Sequence, residues 1–121
     1  MTNKEIVLRF IEEVFNAWDT SKLEKYMRPD YRQHNPTVED GIDGFRRFCE
    51  RFFSVHPHME VHRIVQEGDI VMVFFKCTVD MGVNKVCDIY RLDENGMLAE
   101  HWDVVQHLDP EQIPVNENGQ F

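Results

Sequence analysis

Apolar residues recur at three- and four-residue spacing through Ile6, Val7, Phe10, Ile11, Val14, Phe15 and Trp18. That spacing is the period of one helical stripe, with Lys4, Glu5, Arg9, Glu12 and Glu13 left for the wet face. It predicts a long first helix. Ser21-x-x-Glu24 reads as a capping box that opens a short second helix with Leu23, Tyr26 and Met27, ended by Pro29. Asp30 to Asn35 is a brief extended stretch, closed by Pro36, whose ring disfavours a helical conformation for Asn35. Gly41 and Gly44 flank the start of a third helix, with Phe45, Phe48, Cys49, Phe52 and Phe53 on one stripe and Arg46, Arg47, Glu50 and Arg51 on the other side.

After Pro57 the period becomes strand-like. Met59 to Gln66 alternates moderately, Glu67-Gly68-Asp69 is a turn, and Ile70 to Val79 is a nearly continuous apolar run. Such a run has both faces covered, or has one face against another subunit. Met81-Gly82 turns the chain into a strand from Val86 to Leu92. Asp93-Glu94-Asn95-Gly96, with its Asn-Gly hairpin signal, joins this strand to a last one from Met97 to His107. With period two, Val86, Asp88, Tyr90 and Leu92 share one face. Leu98, Glu100, Trp102, Val104 and Gln106 share one face of the partner strand. Pairing across the turn places Asp88 opposite Trp102 and turns His101, Asp103 and His107 outward. Helices first and antiparallel strands after them predict an α+β fold, with helices on one face of a sheet that must curve to enclose a cavity. A second subunit is the simplest cover for the other face. The whole chain, 1–121, reads as one domain, with a Pro- and Asn-rich tail from about residue 109.

Composition narrows the partners. A formal net charge of −9 argues against nucleic acid or an anionic membrane surface and favours a neutral or cationic small molecule. No run of ~18 apolar residues could span a bilayer, and the amino terminus reads as helix rather than signal segment. Three cysteines, Cys49, Cys77 and Cys87, without C-x-x-C spacing, suggest free thiols in a reducing compartment, the cytoplasm by default.

Three constellations could carry chemistry. The first is Asp88 with Tyr90, Trp102 and Gln106. Apolar rings around a carboxylate disfavour its charged form, which suits acid/base work near neutral pH. Trp102 and Phe75 would be cavity walls, and Gln106 would orient a carbonyl or a water. The competing reading is a structural ion pair from Asp88 to an arginine such as Arg63. The second is Gln33-His34-Asn35-Pro36, dense in donors and acceptors beside a fixed turn, able to hold a substrate oxygen or simply to serve the turn. Trp18 closes the first helical stripe as a pocket or core residue. The third is the set His56, His58, His62, His101 and Asp103. It lacks H-E-x-x-H spacing, and the alternation turns its last two members outward, so no metal is expected. No G-x-S-x-G nucleophile and no glycine-rich phosphate cradle is present, so no nucleotide cofactor is expected either.

Taken in order, Tyr31-x-Gln33-His34-Asn35-Pro36, Gly41 and Gly44 before a Phe-rich helix, Glu67-Gly68-Asp69, Asp88-Ile89-Tyr90-Arg91 and Glu100-His101-Trp102-Asp103-Val104-x-Gln106 resemble the SnoaL-like branch of the nuclear transport factor 2-like (NTF2-like) superfamily. The ending Asn118-Gly119-Gln120-Phe121 is similar to tails of small SnoaL-like proteins. The resemblance implies a cone-shaped α+β barrel around a cavity and a homodimer joined through the outer sheet face. It also implies chemistry of the cyclase, isomerase or lyase type that needs neither metal nor organic cofactor. The family's cyclases perform aldol condensation with an acid on the final strand facing the cavity. Here the alternation puts Val104 and Gln106 there, which leaves Asp88 as the inward acid. The resulting expectation is a small enzyme acting on a neutral, apolar or carbonyl-containing molecule. Asp88, His34 and Gln106 would be catalytic, and Trp18, Gln33, Asn35, Phe75, Tyr90 and Trp102 would contact substrate. The alternatives are a binding module without chemistry and an epoxide-hydrolase-like enzyme, which would need two acids and an arginine around a water.

Overall fold

The computed structural model describes residues 1–121, and its seam lies where the hydrophobic period changes, at Pro57. Before the seam come helices α1 (Asn3–Phe10), α2 (Leu23–Tyr26) and α3 (Gly41–Phe52), with strand β1 (Met27–Gln33) between the last two. After it come β2 (His58–Glu67), β3 (Ile70–Val79), β4 (Gly82–Leu92) and β5 (Leu98–His107). The last four strands form an antiparallel meander, and β1 joins β5 in parallel, so the sheet order is β1-β5-β4-β3-β2. This is the expected α+β arrangement of helices against a mixed sheet, but the sheet stays open at β1 and β2 instead of closing into a barrel. No helix is long and apolar enough to cross a membrane.

The first helical stripe holds through Phe15. Thr2 caps α1 by accepting from the Glu5 N–H at 3.2 Å, and Val7, Phe10, Ile11, Val14 and Phe15 are buried. Beyond Phe10 the helix widens into a π turn, Ile11–Phe15, where Asn16 N–H donates to Ile11 O and Asp19 N–H to Val14 O. A wider turn advances side chains out of the 3.6-residue phase. Trp18 therefore leaves the stripe: it adopts φ +52°, is 47% exposed, and its Nε1–H donates to Pro57 O at 2.7 Å. It contributes to neither core nor pocket. The expected capping box at Ser21 also fails to form, because Glu24 pairs with Arg46 and Asp19 accepts the Ser21 N–H at 2.8 Å. The core is one cluster of 20 buried residues centred on Phe10, whose ring meets Phe15, Tyr26, Phe45 and Tyr90 at 5.3 to 6.1 Å.

One residue decides what the sheet presents to the helices. Leu92 pairs with Leu98 but Arg91 pairs with Glu100, so Ala99 is an extra residue on β5, a β-bulge. Leu98 and Ala99 are both buried, and the alternation resumes one residue out of phase. A bulge of this kind moves every following side chain to the opposite face. Tyr90 thus sits opposite His101, Asp88 opposite Asp103, and Val86 opposite Val105, while Trp102 sits opposite Ile89 on the outer face. The expected pairing of Asp88 with Trp102 is corrected, and so is the outward placement of His101 and Asp103.

Candidate functional site

Residues directly opposite on neighbouring strands share a face, so the register writes three rows across the inner sheet. Val71, Tyr90, His101 and Gln33 form one row; Val73, Asp88 and Asp103 the next; Phe75, Val86 and Val105 the third. Phe45, Phe48 and Phe52 on α3 and Phe15 from the π turn close over them, leaving a pocket of about 140 Å³. Most of its wall is apolar. Its polar side chains are Gln33, Asn35, Asn84, Asp88, His101 and Asp103, and no lysine or arginine lines it. Val105, exposed towards the end of β5, marks the mouth.

The hydrogen bonds within this set fix the orientation of each group. Asn35 Oδ1 accepts from the Thr37 N–H at 2.9 Å and the Thr37 hydroxyl at 2.7 Å, the turn chemistry expected beside Pro36. That leaves Asn35 Nδ2 to donate to Asp103 Oδ2 at 2.8 Å. Gln33 Oε1 accepts from the Asn35 N–H at 3.2 Å and lies 2.6 Å from His101 Nδ1. An amide oxygen cannot donate, so Nδ1 carries a proton. Nε2 lies 3.1 Å from Asp88 Oδ1 and 4.0 Å from Asp103 Oδ2. Asp88 Oδ2 accepts from the Tyr90 hydroxyl at 3.0 Å.

Asp88 is only 5% exposed and His101 7%, so the pair is shielded from water. Both Asp88 oxygens are engaged, whereas no protein donor reaches Asp103 Oδ1 and no protein acceptor takes the Gln33 Nε2–H. Both residues line the pocket, so its wall carries one acceptor and one donor without a protein partner. Like charges directly opposite across strands destabilise a sheet; Asp88 opposite Asp103 is an arrangement that stability alone disfavours, and such arrangements gather at functional sites. Asp88, His101 and Asp103 also bring three ligand atoms within 4.8 Å of one another, and they are the residues that could hold a metal. Burial, followed by the Asp88 charge, holds the Tyr90 hydroxyl well above its ordinary range. Burial pushes the Cys77 thiol, on the pocket wall, up to about 11, which keeps it protonated and poorly nucleophilic.

Of the residues expected at the site, the structure gathers Asp88, Gln33, Asn35, Phe75 and Tyr90 around one pocket. It does not bring the others there. His34, one residue past Gln33 on the opposite side, stacks on Trp102 at 4.7 Å and pairs with Glu100 at 2.6 Å on the outer face. Gln106 is exposed opposite Lys85, the consequence of the shift at Ala99. Trp18 is carried away by the π turn. The ion pair of Asp88 with Arg63 does not form; Arg63 donates to the His62 carbonyl instead. His56, grouped with other histidines by sequence, pairs with Asp80 at 2.7 Å. His101 and Asp103 escaped the strand pattern because the bulge reverses their side. The one trace of it in sequence is the consecutive pair Leu98-Ala99 directly after the turn.

Solved structures share this architecture. TsrD from Streptomyces laurentii superposes with a TM-score of 0.71 over 87% of this chain and 91% of its own, at 24% identity. A candidate SnoaL-like polyketide cyclase from Jannaschia sp. CCS1 does so with a TM-score of 0.74 over 85% and 84%, at 22% identity. A steroid delta-isomerase from Pseudomonas aeruginosa gives 0.70 over 88% and 81%, at 20% identity. At these identities the likeness establishes the fold alone. No curated protein matches the sequence significantly. The family model of the SnoaL-like domain matches residues 7–101, from the first helix through the bulge to His101. This chain belongs to the SnoaL-like family.

Proposed function

We propose that the protein is a small-molecule enzyme that removes a proton next to a carbonyl group, as in aldol-type condensation or isomerisation, using its own side chains as acid and base. The observation that carries this reading is the Asp88–His101–Asp103 cluster at the end of an apolar pocket, with Asp103 Oδ1 and Gln33 Nε2 left free. Asp103 takes the proton from the α-carbon, and the C–H electron pair moves into the enolate. Gln33 Nε2–H donates to the developing oxyanion, in a site where a preorganised donor is most effective. His101, held by Asp88 on Nε2 and by Gln33 on Nδ1, gives a proton to the product oxygen, and the proton taken up by Asp103 then passes to Nε2, 4.0 Å from Asp103 Oδ2, which restores both groups. Asp88 is thus a positioning residue that stabilises the imidazolium, a role shifted from the base that the strand pattern suggested.

The partners of Asp88 favour this over a binding module without chemistry, since an inert pocket calls for the acid to be locked to an arginine. An epoxide-opening reaction gains a second acid in Asp103 but lacks the arginine. The test is hydrogen–deuterium exchange at the α-carbon of small ketones in D₂O, followed by proton NMR. Asp103→Asn should slow exchange ~100-fold or more. Asp88→Asn should slow it and also change its pH profile. Exchange at the wild-type rate in Asp103→Asn would sink the proposal.

The proposal extends to a homodimer through the outer sheet face. Val65, Met72 and Val104 are exposed there, with Phe74, Ile89 and Trp102 half-buried beside them. Phe121 already rests against Phe74 and His62 on part of that face. The three cysteines are free thiols, which suits a reducing compartment such as the cytoplasm.

A further inference from the structure

We infer that the substrate is an uncharged carbonyl compound of single-ring size, with Phe48 and Phe52 setting the limit. The word carbonyl rests on the acid/base reading above; size and charge rest on the pocket itself. A volume of about 140 Å³ is close to the ~150 Å³ of an apolar cavity that admits benzene. A fused polycyclic ketone does not fit in that space. The wall that sets the depth is aromatic: Phe48 and Phe52 stack on each other at 5.2 Å along α3, and Phe75 on β3 also lines the pocket. Both α3 rings are half-buried and neither takes part in the polar end, so they can be trimmed without disturbing Asp103 or His101.

Charge selects as sharply as size. The pocket holds two carboxylates and one imidazole against no lysine or arginine. An anionic ligand placed beside Asp103 in partly dehydrated surroundings meets repulsion sufficient for at least ~30-fold weaker binding than its neutral counterpart. Carboxylates, phosphates and thioesters carried on anionic groups are therefore poor fits, and an aromatic or alicyclic aldehyde or ketone is a good one.

The experiment titrates the purified protein by saturation-transfer NMR with acetophenone, 1-acetonaphthone, a four-ring steroid ketone and benzoate. Acetophenone should bind, the naphthyl ketone at least ~10-fold more weakly, benzoate at least ~30-fold more weakly, and the steroid not at all. Phe48→Ala should recover at least ~10-fold in naphthyl ketone binding. Phe48→Leu, a milder change that keeps the helix stripe apolar, should recover part of it. A steroid or benzoate bound as tightly as acetophenone overturns the inference, as does the absence of any ketone binding. Exchange at the acetophenone methyl carbon is read in the same samples. Binding in the expected order without exchange overturns the acid/base reading and leaves the size and charge limits standing; exchange with the size order reversed does the opposite.

Discussion

Replacing Tyr90 with Phe removes one atom from the site and leaves the ring. The ring's contacts with Phe10 at 6.0 Å and His101 at 5.0 Å do not involve the hydroxyl. What is lost is the 3.0 Å bond to Asp88 Oδ2, made where the acid is 5% exposed. A hydrogen bond to a buried charged group contributes about 1.5–3 kcal/mol, and leaving the acceptor without a donor incurs its desolvation. A loss of about 2 kcal/mol is expected, which for a domain of this size lowers Tm by about 8 °C. Urea denaturation at fixed protein concentration, analysed by linear extrapolation, should show a lower midpoint with an unchanged slope. In an Asp88→Asn background the acceptor is neutral, and the same substitution should cost only about 1 kcal/mol, giving a coupling of about 1 kcal/mol. A loss under about 0.5 kcal/mol for Tyr90→Phe, or equal losses in both backgrounds, would show that Tyr90 does not serve a charged Asp88.

Other consequences can be measured independently. Burial raises the Cys49 thiol to about 12 and Cys77 to about 11 from an unfolded value near 9. The folded state therefore holds protons that the unfolded state releases, so this stability is complete below pH 9 and is lost as pH rises towards 11 and 12. The slope is about 1.4 kcal/mol per pH unit per thiol, and urea midpoints between pH 9 and 10 should fall more steeply for wild type than for a Cys49→Ala/Cys77→Val double variant. A Cβ on Gly44 would lie 2.6 Å from Glu39 O, a backbone atom that cannot rotate away; Gly44→Ala should destabilise by about 1–3 kcal/mol in the same assay. His34 and Trp102 face away from the pocket, so His34→Ala and Trp102→Ala should leave deuterium exchange within about two-fold of wild type. Met72→Glu should shift sedimentation towards the monomer if two copies join through the outer sheet face, because burying a lone carboxylate is costly.

The helices, the five strands and the Asn-Gly hairpin were legible because each rests on local chemistry, periodic burial and turn residues within a few neighbouring positions; the end of the second helix was not, since Met27 and Pro29 lie inside β1. Pocket residues Asp88, Tyr90 and Phe75 were legible for the same reason, since β4 and β3 keep their phase along their whole length. Gln33 and Asn35 stood out as a dense polar turn, and Thr37 and the backbone then fixed which way each amide points. His34 does not accompany them, because neighbours on a strand face opposite sides.

What pattern reading could not supply was phase. The Leu98-Ala99 pair is as compatible with an unbroken strand as with a bulged one, because Val104 and Val105 offer an apolar residue to either face. The bulge lies where β5 pairs with β4 on one side and β1 on the other, and its β1 partners are more than sixty positions away in sequence. The choice exchanges Trp102 and Gln106 for His101 and Asp103. The same limit applies at Trp18, where a π turn ends the stripe through hydrogen bonds that no 3.6-residue count contains. Local sequence chemistry sets the elements and their polarity, and long-range pairing sets which side of each element meets the pocket.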